Sequence, residues 1–593
     1  MRRRLSWMFV VCLALLVAVP PLRGESPKPG GGLVSGPLGE KVDQLISRLE
    51  GFGFAGSLLV AKDGKVVLHK GYGLADRERG IRWGAETVFD IGSITKQFTA
   101  AAIIKLETDG KLKVTDPISK YFDGVPADKA GITLHHLLTH SAGLKDVFGG
   151  DYEEMPRDEL VKAALASKLS WAPGTKYRYS NAGYSLLGAI VEKVSGKPYE
   201  TFLQESLFKP AGMTKTGYRV PKWEPGTVAH GYNQQGDWGT PLDKAWAPDG
   251  PWWNLRANGG ILSTTGDLYK WHQALEGEKI LSTAAKEKIF TPHMPEDEEG
   301  SSHYGYGWAI VKTPRNTRLI SHNGGNGIFA ADFRRYVDEN MVLIVGSNRS
   351  DFSSIAILPQ VVRLVFGMEH TVAPAVTKVD PKTLERYAGS YALPSGDRLV
   401  VSAANPGIEG TGTPGLTVVP EGAGAILLLA GGGSEERGRF AEQEKRLLAA
   451  LDAVRQGRFE PVAQVFGVPV RQAEEEMGSQ FRSLEERHGK FQRFEVLGTG
   501  SLGGRPVTYV RFHFENGSAL YEFGWDGDTV VNVRLQQTAP TARFLPESPT
   551  EFASFDPRSA RVMRIAFETP EGGKAKTLIV RTPGGDVRLG RAE

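Results

Sequence analysis

Residues 88–106 read VFDIGSITKQFTAAAIIKL, and the fold turns on how that stretch divides. Residues 88–91 are strand-like. Residues 97–106 carry helical spacing, with Asp109-Gly110 as a stop signal. Gly92-Ser93 stands at the junction. A serine that opens a helix is an N-cap candidate. Lys96, three residues on, faces the same side of that helix. A lysine in a first turn opposes the helix dipole, where Asp or Glu would suit a plain cap better. The alternative is chemical: Ser93 as nucleophile and Lys96 as acceptor or relay of its proton. That requires a lysine that is neutral part of the time, and desolvation together with the positive helix end pushes its pKa that way.

Working outward, residues 38–49 have helical periodicity through Val42, Leu45, Ile46 and Leu49. Strand-like runs follow at 56–61 and 66–68, with Asp63-Gly64 as a hairpin turn signal. Three more strand-like runs lie at 318–321, 328–335 and 341–347, and 355–366 reads as a closing helix. The middle, about 80–310, is richer in helical pattern and loops. Strands and one helix at each end of a helical insertion predict one α/β unit over 38–370, its sheet built from both chain ends.

Two further motifs follow Ser93-Ile94-Thr95-Lys96 in order. Tyr179-Ser180-Asn181 comes after the turn at 171–174 and before a helical run at 184–194. A tyrosine hydroxyl can shuttle a proton, and an asparagine amide can hold both a lysine and a substrate carbonyl. Its ordinary reading is an Asx cap. His322-Asn323-Gly324, followed by Gly325, lies on a strand-like segment whose glycines let a substrate approach the backbone. An N–H there could complete an oxyanion hole with that of Ser93. Its ordinary reading is a glycine-rich turn with a bystander histidine.

The three motifs together resemble the serine β-lactamase and penicillin-binding-protein superfamily. The likeness is to the class C-like branch of D-alanyl-D-alanine carboxypeptidases, D-aminopeptidases and esterases. LLTHSAGL (137–144), PGTKYRYSNAGYSLLG (173–188) and NGGILSTTGDL (258–268) look like landmarks of the same family. The resemblance covers 38–370 and implies a mainly antiparallel sheet flanked by helices, with a helical subdomain. It implies an acyl-enzyme on Ser93, with Lys96 and Tyr179 sharing acid–base work and either of them the base. Asn181, His322, Gly324 and Gly325 would bind substrate, the Ser93 and Gly325 N–H groups would form the oxyanion hole, and no metal or organic cofactor is needed. His322 replaces the lysine of the β-lactamases' K-T-G. This exchanges a fixed cation for a titrating imidazole and predicts a pH response across roughly 5.5–7.5 if His322 touches substrate.

Other candidates carry less. His135, His136 and His140 include an i, i+4 pair but lack the glutamate of H-E-x-x-H. Trp238, Trp246, Trp252 and Trp253 cluster in one stretch, as cleft wall or as loop packing. No G-x-S-x-G elbow occurs, which argues against an α/β-hydrolase.

Length and composition set the frame. The chain has 593 residues, 40% hydrophobic and 23% charged, room for about two to four domains. Residues 1–24 read as a signal peptide: Arg2-Arg3-Arg4, an apolar run over 7–19, then Pro20-Pro21. Export to the periplasm or exterior is expected, with an uncleaved anchor as the alternative. Removing the four arginines of that segment turns the formal charge of +3 into −1, which gives no global attraction to nucleic acid or anionic membrane. The single cysteine, Cys12, lies in the same segment, so disulfides and thiolate chemistry are excluded from the mature chain.

Residues 25–37 and 371–381 read as linkers. LERYAGSY (384–391) resembles the start of a small β-barrel module, taken as 382–437 with 541–593. Residues 438–540, two amphipathic helices (440–458, 471–487) and a β-meander, look similar to an inserted NTF2-like α+β module. The expected function is an exported serine hydrolase acting on a small-molecule or peptide amide or ester: a D-amino-acid peptide, a cell-wall fragment or a small ester. The alternatives are a true β-lactamase and a catalytically silent binding protein on the same fold.

Overall fold

The computed structural model describes residues 32–592 except 234–235, 350–351, 395, 405–412, 430–439, 503–504, 537–541, 558–560, 571–572 and 583–584. The signal segment and Cys12 lie outside the described residues. Among those described, no helix is long and apolar enough to cross a membrane.

The first unit is a nine-stranded antiparallel sheet. In chain order its parts are β1 (Leu33–Val34), α1 (Gly36–Gly51), β2 (Gly56–Lys62), β3 (Lys65–Tyr72), α2 (Thr95–Thr108), α3 (Asn181–Ser195), β4 (Met294–Pro295), β5 (Ser302–Tyr304), β6 (Ala309–Lys312), β7 (Arg318–Gly325), β8 (Ala330–Tyr336), β9 (Met341–Ser347) and α4 (Ser354–Val365). The strand order is β1-β3-β2-β9-β8-β7-β6-β5-β4. The two chain ends meet where β2 pairs with β9, Val60 opposite Leu343 and Leu59 opposite Ile344. Side chains alternate across this seam. Leu58, Val60, Leu343 and Val345 pack on α1 and α4, while Leu59, Ala61, Val342 and Ile344 face α2 and the helical layer. A one-residue slip would expel both sets, so the seam fixes its own register.

The first expected linker is partly structured. Leu33–Val34 pairs with His69 and Leu68, and α1 already starts at Gly36; two edge residues are too few for a periodic signal. The second is docked. Arg48 donates to the Ala373 carbonyl at 3.1 Å, and Ala373 is fully buried.

Beyond residue 380 the chain builds β10 (Gly389–Ala392), β11 (Arg398–Ala404), β12 (Gly415–Glu421), α5 (Ala423–Leu429), α6 (Ala441–Arg455), α7 (Glu460–Phe466), α8 (Val470–His488), β13 (Phe491–Leu502), β14 (Arg505–Phe514), β15 (Gly517–Asp526) and β16 (Thr529–Gln536). It ends with β17 (Ala542–Pro546), β18 (Glu551–Asp556), β19 (Arg561–Glu568), β20 (Thr577–Thr582) and β21 (Gly585–Arg591). Strands β10–β12 and β17–β21 close an eight-stranded barrel, and β13–β16 form a separate antiparallel sheet between its two halves. Three helices, not two, accompany that sheet; α7 is too short to show a helical period. The first half of the barrel module also contains α5, whose apolar side chains serve both bodies. Ala425, Leu428 and Leu429 enter the barrel core, and Ile426 packs with Leu497, Val507 and Tyr509 of the insert. A helix apolar all round has no amphipathic signature. The barrel touches the first unit where Phe555 meets Phe52, ring centroids 5.9 Å apart.

Candidate active site

Ser93 is the middle residue of one 3-10 turn, Gly92–Ile94, that runs into α2. The strand before it, Phe89–Asp90, is pinned to Leu262–Ser263. Gly92 has φ +50°, a left-handed conformation that favours glycine. The N-cap positions of this turn and of α2 are Ile91 and Ile94, so Ser93 is not the cap. Lys96, fully buried, sends its Nζ to Ser93 Oγ (3.0 Å), Asn181 Oδ1 (2.7 Å) and the Asn258 carbonyl (2.7 Å). Burial pulls its pKa down to about 7 against the opposing pull of Asp146 and Asp151. That shift, from 10.5, costs the charged form about 5 kcal/mol relative to water. A neutral amine keeps two N–H donors for Asn181 and Asn258 and turns its lone pair to the Ser93 hydroxyl.

Tyr179 stands over this pair. Lys96 Nζ lies 4.7 Å from its ring centroid, and its hydroxyl hydrogen-bonds to Ser93. Burial pushes the phenol well above its ordinary pKa, so it acts as a hydroxyl and not as a phenolate. His140 positions it: the rings lie 4.2 Å apart, and His140 Nδ1 accepts the Ser180 N–H at 3.0 Å. In Tyr179-Ser180-Asn181 it is Ser180 that caps α3, accepting from Gly183 N at 3.1 Å. Asn181 is thereby free to hold Lys96, and its own N–H donates to Asp146 Oδ1 at 2.8 Å.

The third motif closes the site through its backbone. A Cβ on Gly324 would collide with the Ile91 carbonyl oxygen and stand 2.7 Å from Ser93 N; a Cβ on Gly92 would collide with Gly325 N. The glycines are required because β7 runs directly against the serine turn, which sets the backbone of Gly324 and Gly325 against that of Gly92 and Ser93. His322 is held by Tyr304 and by the Asn323 carbonyl. Its Nδ1 faces the Asn323 carbonyl at 2.5 Å and so carries the hydrogen, leaving Nε2 to accept from Tyr304 OH at 2.9 Å. Burial and the neighbouring Lys96 hold its pKa down at about 3. The titration expected of His322 near neutral pH therefore does not occur there; Lys96 and Asp90 occupy that range instead.

Asp90 was not singled out by sequence. Its Oδ1 accepts the Gly92 N–H at 2.7 Å, and its Oδ2 accepts from Asn326 Nδ2 at 2.9 Å. Asn326 Oδ1 accepts the N–H groups of Ile328 (3.0 Å) and Phe329 (2.8 Å), which fixes the amide's orientation. This strut joins the residue before Ser93 to the residue after Gly325, one on each side of the candidate oxyanion hole. Burial pushes the Asp90 carboxyl up to about 7.

Ser93, Tyr179, Asn323, Gly324 and Gly325 line a cleft of about 470 Å³, walled further by Phe329 and Arg349. Trp238 packs on Phe329 and Tyr152 behind that wall, whereas Trp253 is buried beside Leu160 and Ala189. His135 bonds Tyr306 OH, and His136 Nδ1 accepts the Thr133 N–H. Among the described residues, Glu78, His230 and Asp237 could seat a metal, on and beside the 231–239 hairpin and not at Ser93.

This geometry can present a hydroxyl bonded to a buried amine, with the Gly324-Gly325 backbone close beside it, to an acyl carbonyl. The Beta-lactamase family profile matches residues 42–365. The chain belongs to the beta-lactamase family of serine hydrolases. Penicillin-binding protein 4* of Bacillus subtilis (strain 168) is 30% identical over 384 residues, covering 59% of this chain and 82% of that protein. Protein flp of Staphylococcus aureus (strain COL) is 28% identical over 301 residues, 49% of this chain and 59% of its own. The octameric penicillin-binding protein homologue from Pyrococcus abyssi shares the beta-lactamase fold with a TM-score of 0.51 and 20% identity, over 93% of this chain and all of that one.

Proposed function

We propose that this beta-lactamase-family hydrolase forms an acyl-enzyme on Ser93 and cleaves an amide or ester of a D-amino-acid peptide, a cell-wall fragment or a small ester. The observation that carries the reading is the 3.0 Å contact between Ser93 Oγ and a buried Lys96 whose pKa lies at about 7. Neutral Lys96 takes the Ser93 proton as Oγ attacks the carbonyl, which favours Lys96 over Tyr179 as base. The Ser93 and Gly325 amides hold the oxyanion. The proton passes through the Tyr179 hydroxyl to the leaving nitrogen or oxygen, and the leaving group departs as an amine or alcohol. Water then attacks the acyl-enzyme; its proton goes to Lys96 and Ser93 regains its hydrogen. Asn181 keeps Lys96 aimed, and Asn323 and the glycine edge of β7 bind substrate backbone. His322 supports Tyr304 and the pocket wall as a neutral group.

The N-terminal segment supports export to the periplasm or exterior. The insert of three helices on a four-stranded sheet supports an NTF2-like reading of 438–540. A second reading, β-lactam hydrolysis, is favoured by Arg349 in the cleft lining, a cation of the kind that pairs with a β-lactam carboxylate. Intact mass spectrometry after exposure to a fluorophosphonate or a penicillin tests both. One adduct, absent from Ser93→Ala, is expected with the fluorophosphonate; its absence would leave the silent-scaffold alternative. Rapid turnover of a chromogenic cephalosporin would promote the second reading.

A further inference from the structure

Behind the cleft wall, one histidine is caught between two carboxylates. His230 immediately precedes the hairpin of Gly231–Asn233 and Gly236–Gly239, and its backbone N–H donates to the Ala75 carbonyl at 2.8 Å. Its Nε2 lies 3.3 Å from Asp76 Oδ2, and its Nδ1 lies 3.2 and 3.1 Å from Oδ1 and Oδ2 of Asp237. Asp76 is buried and already paired with Arg79. A neutral imidazole has only one N–H. With that hydrogen on Nε2, toward the buried carboxylate, the Nδ1 lone pair faces two carboxylate oxygens, acceptor against acceptor. A cation between them removes the conflict. Glu78 completes the set: one ligand atom each from Glu78, His230 and Asp237 lie within 4.8 Å of one another. Neighbouring groups already aim these ligands. Tyr232 OH donates to Glu78 Oε2 at 2.6 Å, and the Gly239 N–H donates to Asp237 Oδ1 at 2.8 Å. Among the described residues, neither Glu78 nor Asp237 forms an ion pair with a lysine or arginine. Two unmatched carboxylates balance the charge of one divalent ion.

We propose that Glu78, His230 and Asp237 bind a divalent transition-metal ion of the Zn²⁺ type, through His230 Nδ1 and an oxygen of each carboxylate. Tetrahedral zinc holds its ligand atoms about 3.4 Å apart, so small side-chain rotations close the set. A carboxylate behind the far ring nitrogen, the place of Asp76, fixes the tautomer and orientation of a metal-bound histidine. The imidazole selects a transition ion over Mg²⁺ and Ca²⁺, which prefer oxygen ligands alone. The ion is a clamp. It ties residue 78 to both ends of the 231–239 hairpin. Asp237 adjoins Trp238, whose ring packs on Phe329 of the cleft wall, and the Tyr232 N–H is held by the Asn348 carbonyl, next to Arg349 of the cleft lining. A second proton on His230 would also relieve the conflict, but it leaves Glu78 without a part.

The test is calorimetric titration of the chelator-stripped full chain with Zn²⁺ near neutral pH. One ion should bind per chain, and His230→Gln and Glu78→Gln should each weaken it at least about tenfold. Glu78 is exposed, so Glu78→Gln remains informative if His230→Gln fails to fold. An excess of Mg²⁺ should leave the zinc in place. Bound Zn²⁺ should also slow proteolysis within the hairpin, in the wild-type chain and not in Glu78→Gln. No binding would mean that a proton alone serves His230, and binding that either variant leaves intact would place the ion elsewhere; both results overturn the site. Displacement by Mg²⁺ would overturn the transition-metal class, and hairpin cleavage indifferent to bound Zn²⁺ would overturn the clamp.

Discussion

Around Ser93 the fold buries Lys96, Asp90, His140 and His322; beyond residue 370 the buried polar residues among those described are Thr499, Thr508 and Glu522. The barrel keeps its ion pairs at the surface, Arg564–Glu547 at 2.7 Å together with Arg581–Glu551 and Arg588–Glu568. Its interior is apolar: Leu399, Leu416, Phe552, Ile565 and Leu578. The first unit's sheet is open and the barrel's is closed, and among the described residues ionisable side chains are fully buried in the first unit and not in the barrel core. Buried charge is expensive and the barrel core does without it; in the first unit Asp267 and Arg335 carry it in ion pairs with Lys270 and Glu276, while at Ser93 the buried Lys96 has no ion-pair partner among the described residues but hydrogen bonds to Ser93, Asn181 and the Asn258 carbonyl.

Substitutions at four places, the Ser93–Lys96 pair, the strut, the barrel's seat and the barrel surface, would break or sharpen that contrast. The largest effect falls on Ser93→Ala or Lys96→Ala, each expected to lower acyl transfer by at least about 10³-fold while the circular dichroism spectrum stays unchanged. Next is the strut. Asp90→Asn sets two donors facing each other across Asn326, and kcat should fall about 100-fold with little change in KM, the size of losing one oxyanion donor. Because the Ile328 and Phe329 N–H groups dictate which end of residue 326 must accept, the exchange Asp90→Asn with Asn326→Asp restores every bond. It should return kcat to within about tenfold of wild type, and a double variant as poor as the single one would remove the strut's role. Third, Phe555→Ala should destabilise the barrel's seat on α1 by about 3 kcal/mol in denaturant titration, with activity per folded molecule within about twofold. Smallest is Glu547→Gln on the barrel surface, worth about 0.5 kcal/mol and silent in activity. A large activity loss from either barrel change would mean that the two regions are functionally coupled.

The side chains that meet at Ser93 were legible because their relations are local. Ser93 and Lys96 are helical neighbours, and Asn181 lies two residues from Tyr179. The glycines of the third motif were legible as a demand for close approach, though the body they approach, the serine turn, was not. The Asp90–Asn326 bond spans 236 positions and exists only because β7 closes against that turn. The Asn258 carbonyl that completes the lysine's shell is a backbone atom that every residue has. The pH response expected if His322 touches substrate took the imidazole's ordinary range, because a sequence carries no burial; burial pulls that range down. Farther along, the barrel's strands had ordinary β pattern, but α5 was hidden by its uniform apolarity.

The central claim is that burial makes Lys96 a base at neutral pH, and the rate at which a fluorophosphonate labels Ser93, followed from pH 5 to 10, tests it most directly. Lys96 has its pKa lowered to about 7, so its neutral form accumulates as pH rises through that value. Asp90, raised to about 7, gains the charge its strut requires over the same interval. The labelling rate should therefore climb through about pH 7 and level off above it, with the climb lost in Lys96→Ala. A flat profile, a rise centred near the ordinary lysine pKa, or an unchanged profile in Lys96→Ala would contradict the account.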